Sequence, residues 1–191
     1  LIYYTNKSDK RALLTDILKN KVLSQVLIFS RTKHGADRLV KNLKKKNIAA
    51  VAIHGDKSQP QRQRALKSFK NKEVRVLVAT DIAARGIDID KLNFVINFDI
   101  PNEPETYVHR IGRCGRAGEK GQSISICEPE ENIYAKDIEK LIKSSLTEIK
   151  NHKFPQTDLP MNPQQRKEFE KQKQKKKQEF FANRKKNKRT K

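Results

Sequence analysis

The sequence predicts an α/β domain, a parallel β-sheet wrapped by helices, followed by a basic tail. Short aliphatic and β-branched runs with little polar alternation recur along the chain, and segments with helical spacing lie between them. Strand and helix alternating in this way point to a sheet covered on both faces. The charge sets the tail apart: residues 161–191 hold 13 Lys and Arg against 3 Asp and Glu, about half of the chain's net charge of +21.

Taken in order, "VLIFS" (26–30) reads as a strand. A helix over 32–46 then turns Ala36, Leu39, Val40 and Leu43 to one face. "IAAVAI" (48–53) is the next strand and runs into a turn at His54, Gly55 and Asp56. Ser58 caps a helix over 58–71 with Ala65, Leu66 and Phe69 inward. "VRVLVA" (74–79) and "FVINF" (94–98) are further strands. A helix begins near Asn102, which is read as its cap, with Pro104 in the first turn and Glu105 three residues on. "SISIC" (123–127) is the last strand. Beyond about residue 153, Pro155, Pro160 and Pro163 punctuate a polar stretch whose apolar surface is too small to offset the entropy of ordering it. A domain over 1–153 and a basic, low-complexity, largely disordered tail over 154–191 are therefore expected.

Lys and Arg outnumber Asp and Glu by 43 to 22, a balance that calls for a polyanionic partner. Two cysteines, Cys114 and Cys127, make no disulfide framework, and no Cys/His cluster has zinc spacing, so no metal site is expected. A reducing, cytoplasmic setting fits. The longest apolar run, 48–53, is far short of a membrane span, and no signal pattern opens the chain, so no membrane partner is expected. The absence of an initiator Met suggests a chain cut from a longer one.

Open parallel sheets gather ligands at the carboxyl ends of their strands. There, "VRVLVA" runs into Thr80 and Asp81, with Gly86 and Asp88 close behind. Thr80 offers a hydroxyl to a phosphate and Gly86 lets backbone approach closely. Equally, Thr80 serves as a helix cap, Gly86 as a plain turn and Asp88 as a turn acid. Gln59 and Arg62 fall in the first turn of the 58–71 helix, where orphan N–H groups favour an anion; a solvated Arg62 is the alternative. For Ser30, Arg31 and Thr32, helix capping is the simplest reading.

In "HRIGRCGRAG" (109–118), Arg110, Arg113 and Arg116 alternate with Gly112, Gly115 and Gly118. Glycine should end the helix at 112 or 115, leaving Arg113 and Arg116 at its end and in the loop beyond. Two guanidinium forks there could converge on a triphosphate, or form a solvated basic loop. The glycine spacing matches neither G-x-G-x-x-G nor a P-loop.

Together, "VLIFSRT", "HGDKSQPQR", "VLVATDIAARGIDI", "VINFDIP" and "YVHRIGRCGRAG" resemble the motifs of the C-terminal RecA-like domain of DEAD-box ATP-dependent RNA helicases, over about residues 1–150, with the RhlE-type branch most similar. Cys114 stands where the family often has Thr. The resemblance implies a RecA-like sheet and a role as the C-terminal half of an enzyme that unwinds short RNA duplexes. It implies that Arg113 and Arg116 reach the β and γ phosphates of ATP, with Arg116 as arginine finger, and that Asp88 meets the ribose. Arg62, Thr80 and Gly86 would grip the RNA backbone, His109 would couple to the acidic motif across the cleft, and Arg110 would make a structural or interdomain ion pair. No Walker A lysine, D-E-A-D or S-A-T occurs in these residues, so Mg²⁺ is expected on the missing N-terminal RecA-like domain, and the isolated chain is expected not to hydrolyse ATP. The chain is expected to be monomeric. A non-catalytic RNA-binding module is the alternative; a dinucleotide-dependent enzyme lacks its glycine fingerprint.

Overall fold

The computed structural model describes residues 1–85, 89, 92–115, 121–162, 164, 165, 168, 171 and 172. Six parallel strands form one sheet: β1 (Ile2–Tyr4), β2 (Val26–Phe29), β3 (Ala50–Ile53), β4 (Val76–Ala79), β5 (Phe94–Asn97) and β6 (Gln122–Cys127), in the spatial order β1-β6-β5-β2-β4-β3. Helices α1 (Lys10–Ile17), α2 (Lys33–Lys44), α3 (Gln59–Lys70), α4 (Asp81–Ala84) and α5 (Pro104–Ile111) fill the connections, and α6 (Asn132–Ile142) follows β6. Every strand expected from sequence is present, within two residues at each end. β1, α1, α4 and α6 are additional.

The period of two along each strand divides the core. Val26, Ile28, Val76, Val78, Ile96, Ile124 and Ile126 face Leu13 and Leu14 of α1 and Ala36, Leu39 and Leu43 of α2. Leu27, Phe29, Leu77, Ala79 and Val95 face the other way, onto Phe69 of α3 and Ala83 and Ala84 of α4. Because both faces are covered, the strands lack polar alternation. Each large core side chain, Phe29 for example, contributes about 1.5–3 kcal/mol by leaving water. A third cluster joins Ile2, Ile100 and Cys127 to Tyr107 of α5 and to Ala135 and Ile138 of α6.

Local chemistry sets the helix starts. Thr32 caps α2 by accepting a hydrogen bond from the Gly35 N–H at 2.9 Å. Ser58 and Gln61 form a capping box on α3. α5 corrects an expectation: its N-cap is Glu103, not Asn102, because Pro104 takes the first helical position, and no side chain caps it.

Residues Leu1–Asp158 form one compact unit and Leu159–Lys191 a second. In the first, Phe154 packs on the core, and Asn6 accepts hydrogen bonds from the N–H groups of Thr157 and Asp158, both at 2.9 Å. Phe169, Phe180 and Phe181 of the tail lie outside the described residues.

Candidate functional site

β2 lies between β5 and β4, and the chain crosses from one side of it to the other, so the carboxyl ends of these three strands flank a topological switch point. Three groups of polar residues gather at the carboxyl ends of the sheet.

The first group surrounds Arg110. This guanidinium is 2% exposed, yet each of its nitrogens has a partner. Its Nε and Nη2 donate to the two carboxylate oxygens of Asp81 at 2.7 and 2.9 Å, and its Nη1 donates to Asn97 Oδ1 at 3.1 Å and the Asp99 carbonyl at 2.7 Å. The ring of Phe29 lies 4.9 Å beneath it. Arg110 thus makes its ion pair inside the domain and clamps α5 to the ends of β2, β4 and β5. α5 ends at Gly112, and Gly115 has φ of 55°. A Cβ on Gly121 would stand 2.5 Å from the Gly115 nitrogen, so only glycine permits that approach. Leu92 N–H to the Arg113 carbonyl, 3.1 Å, and Gly115 N–H to the Leu92 carbonyl, 3.0 Å, hold the segment. Burial pushes the Cys114 thiol up, so it stays protonated.

On this frame, His109 and Arg113 border a cleft of about 20 Å³ together with Thr106 and Arg85, above Asp81 and Arg110. His109 is exposed and Arg113 half-buried. Arg116 lies outside the described residues, as do Gly86 and Asp88.

The second group flanks β3 and β4. Thr80 is the N-cap of α4, as its alternative reading had it, but its side chain makes no capping hydrogen bond, which leaves the hydroxyl available. The Thr80 N–H donates to the Ile53 carbonyl at 3.4 Å, which sets Thr80 beside the turn at His54. From the first turn of α3, Arg62 donates from Nη1 to Gln59 Oε1 at 3.3 Å, while its buried Nε finds no acceptor. An unmatched buried donor is costly. His54 is 2% exposed, its Nε2 3.1 Å from Asp37 Oδ1 without hydrogen-bond alignment. Burial pushes the Asp37 carboxyl up, but Lys57 and His54 outweigh it and hold it below its ordinary value. Arg62 and Thr80 do not border the cleft of His109 and Arg113.

The third group joins residues that the sequence expectations did not connect. Ser30 and Arg31 do not cap α2: Ser30 Oγ donates to Asp99 Oδ2 at 3.1 Å and the Arg31 N–H donates to the same oxygen at 2.8 Å. Arg31 Nη2 reaches Glu131 Oε1 at 2.6 Å, and buried Lys10 meets Glu131 at 2.8 Å, Asp99 at 3.6 Å and Glu128 at 3.7 Å. Lys10 left no sequence signal, because a lysine opening an amphipathic helix is normally solvated.

Burial alone would lower the Lys10 pKa, but Glu131, Asp99 and Glu128 outweigh it and leave it above its ordinary 10.5. With the folded value above the unfolded one, the stability Lys10 contributes is fully present below 10.5 and is lost as pH rises through the folded value. Urea unfolding between about pH 9 and 12 should show this alkaline loss, and Lys10→Met, which has no proton to release, should flatten it. An equally steep fall in the variant would assign the loss to other groups.

Among the described residues no cluster of His, Cys, Asp or Glu has metal-binding geometry, and no helix is long and apolar enough to cross a membrane.

The sequence profile of the family described as "Helicase conserved C-terminal domain" matches residues 9–118. The chain is 43% identical over 145 residues to the ATP-dependent RNA helicase vasa of Drosophila melanogaster, covering 75% of this chain and 22% of vasa. It is 40% identical over 171 residues to the DEAD-box ATP-dependent RNA helicase CshA of Geobacillus kaustophilus, covering 88% of this chain and 36% of CshA. The chain thus spans about a fifth to a third of the length of these relatives. The crystal structure of the E. coli DEAD-box protein SrmB bound to regulator of ribonuclease activity A superposes with a TM-score of 0.78 at 34% identity, covering 84% of this chain and 96% of that one. The expected RecA-like parallel sheet is the fold observed.

Proposed function

Since the chain belongs to the helicase conserved C-terminal domain family, in the form carried by DEAD-box RNA helicases, we propose that it works as the second RecA-like half of an ATP-dependent RNA helicase. The observation that carries this reading is the Arg110–Asp81 clamp, which fixes the end of α5 and presents Arg113 beside His109 at the switch point of the sheet.

The residues present fit a nucleotide held mainly elsewhere. The cleft of about 20 Å³ is far below the roughly 300 Å³ or more of a ligand pocket, so a triphosphate would need a second surface, that of an N-terminal RecA-like domain. There, Arg113 and Arg116 would hold the β and γ phosphates, Arg116 as the arginine finger, and Asp88 the ribose. ATP supplies the phosphoanhydride whose cleavage resets the closed state. Mg²⁺ belongs to the partner domain, and His109 couples to that domain's acidic motif.

Arg62, Thr80 and Gly86 grip the RNA backbone. The orphaned Nε of Arg62 and the uncapped hydroxyl of Thr80 support this, since both are groups a phosphate oxygen would satisfy. Contacts to phosphate carry no sequence preference, so unwinding follows from bending one strand as the domains close. The protein acts as a cytoplasmic monomer, and the basic tail after a compact domain favours the RhlE-type branch.

Adding an N-terminal RecA-like domain in trans, with RNA, tests the reading. ATPase activity absent from either half alone should appear, and should vanish with Arg116→Ala. No activity with the wild-type pair would leave a non-catalytic RNA-binding module. For the tail, deleting 161–191 should weaken RNA binding for all sequences and flatten its salt dependence, because every phosphate that is no longer neutralised lowers the slope of log K against log salt by about 0.7–0.9. An unchanged slope would show that the tail does not touch RNA.

A further inference from the structure

A groove of about 690 Å³ lies between α2 and α3 along the outer side of β3, and of the groups described it shares only Asp37 and Lys57 of the second. β3 is an edge strand, paired only with β4. The Val76 N–H donates to the Ala49 carbonyl at 3.1 Å and the Thr80 N–H to the Ile53 carbonyl at 3.4 Å, so odd-numbered residues of β3 turn their peptide groups toward β4. In a parallel ladder the intervening residues then face the open edge. Ala50 is buried there, whereas Ala52 is half-buried and lines the groove, so its N–H and C=O are the open edge of the sheet.

The groove floor is apolar, formed by Val40, Val51 and Ala65. Its rim is basic. Lys57 is neutralised by Asp37 at 2.9 Å, but Lys44, Arg64 and Lys67 form no ion pair with any described residue. One other carboxylate, Glu73, lines the groove and accepts a hydrogen bond from Asn71 at 3.1 Å. No aromatic side chain lines it, so it has no platform on which bases could stack.

From an open strand edge, an apolar floor and three cations without an ion-pair partner among the described residues, we infer that this groove docks a short, extended, acidic peptide from a partner protein. One peptide residue pairs with Ala52, its apolar neighbours enter the floor, and its carboxylates meet Lys44, Arg64 and Lys67. None of these residues belongs to the nucleotide or RNA reading, so the two stand or fall separately.

The probe is a fluorescein-labelled pool of nine-residue peptides with Asp or Glu alternating with Val, Leu or Phe, titrated into the 191-residue chain by anisotropy. Saturable binding is expected, with shifts of the Ala52 amide by NMR. Arg64→Glu with Lys67→Glu should weaken it by about tenfold or more, and Lys44→Glu independently by less. All three side chains are exposed, so unchanged thermal unfolding will show that the variants fold. Three results would overturn the inference: no saturable binding, binding indifferent to both variants, or a nine-nucleotide oligouridine displacing the peptide and shifting the same amides.

Discussion

Arg113→Ala in the two-domain enzyme is expected to lower RNA-stimulated ATP turnover by about three orders of magnitude, the lower end of what an arginine on a transferring phosphoryl group supplies. The segment that carries Arg113 is held by its backbone, through the Leu92 N–H on the Arg113 carbonyl and the Gly115 N–H on the Leu92 carbonyl. Truncating the side chain leaves these backbone bonds in place while it removes the guanidinium. The loss should fall on kcat rather than KM, because a group that meets charge developing on the phosphoryl oxygens acts in the transition state. Arg113→Lys should recover little, since an ammonium cannot reproduce the planar fork. Steady-state ATPase assays with saturating RNA decide the matter. Turnover within about twofold of wild type would remove Arg113 from the chemistry.

Arg110→Ala is expected to cost about 3 kcal/mol or more of folding stability, read from urea denaturation. It strands Asp81, Asn97 Oδ1 and the Asp99 carbonyl at once, and it empties the space over the Phe29 ring. Asp81 is 29% exposed at its side chain, so water softens the loss of its partner and the figure stays near the low end for a buried pair. Arg110→Lys keeps a charge but loses the two-pronged contact, and should fall between alanine and wild type. If alanine costs under about 1 kcal/mol, the clamp is not what holds α5 to the sheet. In the two-domain enzyme Arg110→Ala should also lower turnover, because α5 then no longer fixes the site of Arg113.

Much of the sheet was legible because β2 to β6 are runs of apolar residues bounded by polar turns, and a strand buried on both faces must look that way. β1 was not. Its Ile2, Tyr3 and Tyr4 become a strand only by pairing with Ser125, Ile126 and Cys127, more than a hundred residues away. α6 has no side-chain cap of its own and follows a 3-10 turn at Pro129–Glu131; the start cues lie on that turn, in Pro129 and the capping box of Glu128 and Glu131, and were not read as a helix start, although Ala135 and Ile138 are buried. The cap assigned to Asn102 misread a real cue: Pro104 and Glu105 do mark a helix start, but proline at the first helical position moved the cap to Glu103.

The sequence by itself determined which side chains can carry chemistry here, because residue types and local spacing are properties of neighbours along the chain: "HRIGRCGRAG" sets arginines among glycines that disfavour a helix. Only the tertiary structure decided what each arginine does. Arg110 in the last turn of α5 and Arg113 just past its C-cap are three residues apart, yet one is sealed onto Asp81 and the other borders a cleft. Lys10, an ordinary surface residue by its surroundings in the chain, is locked among carboxylates from distant elements. Burial and pairing depend on what long-range packing brings within a few ångströms, and electrostatic interactions in a low-dielectric interior are strong only at that range.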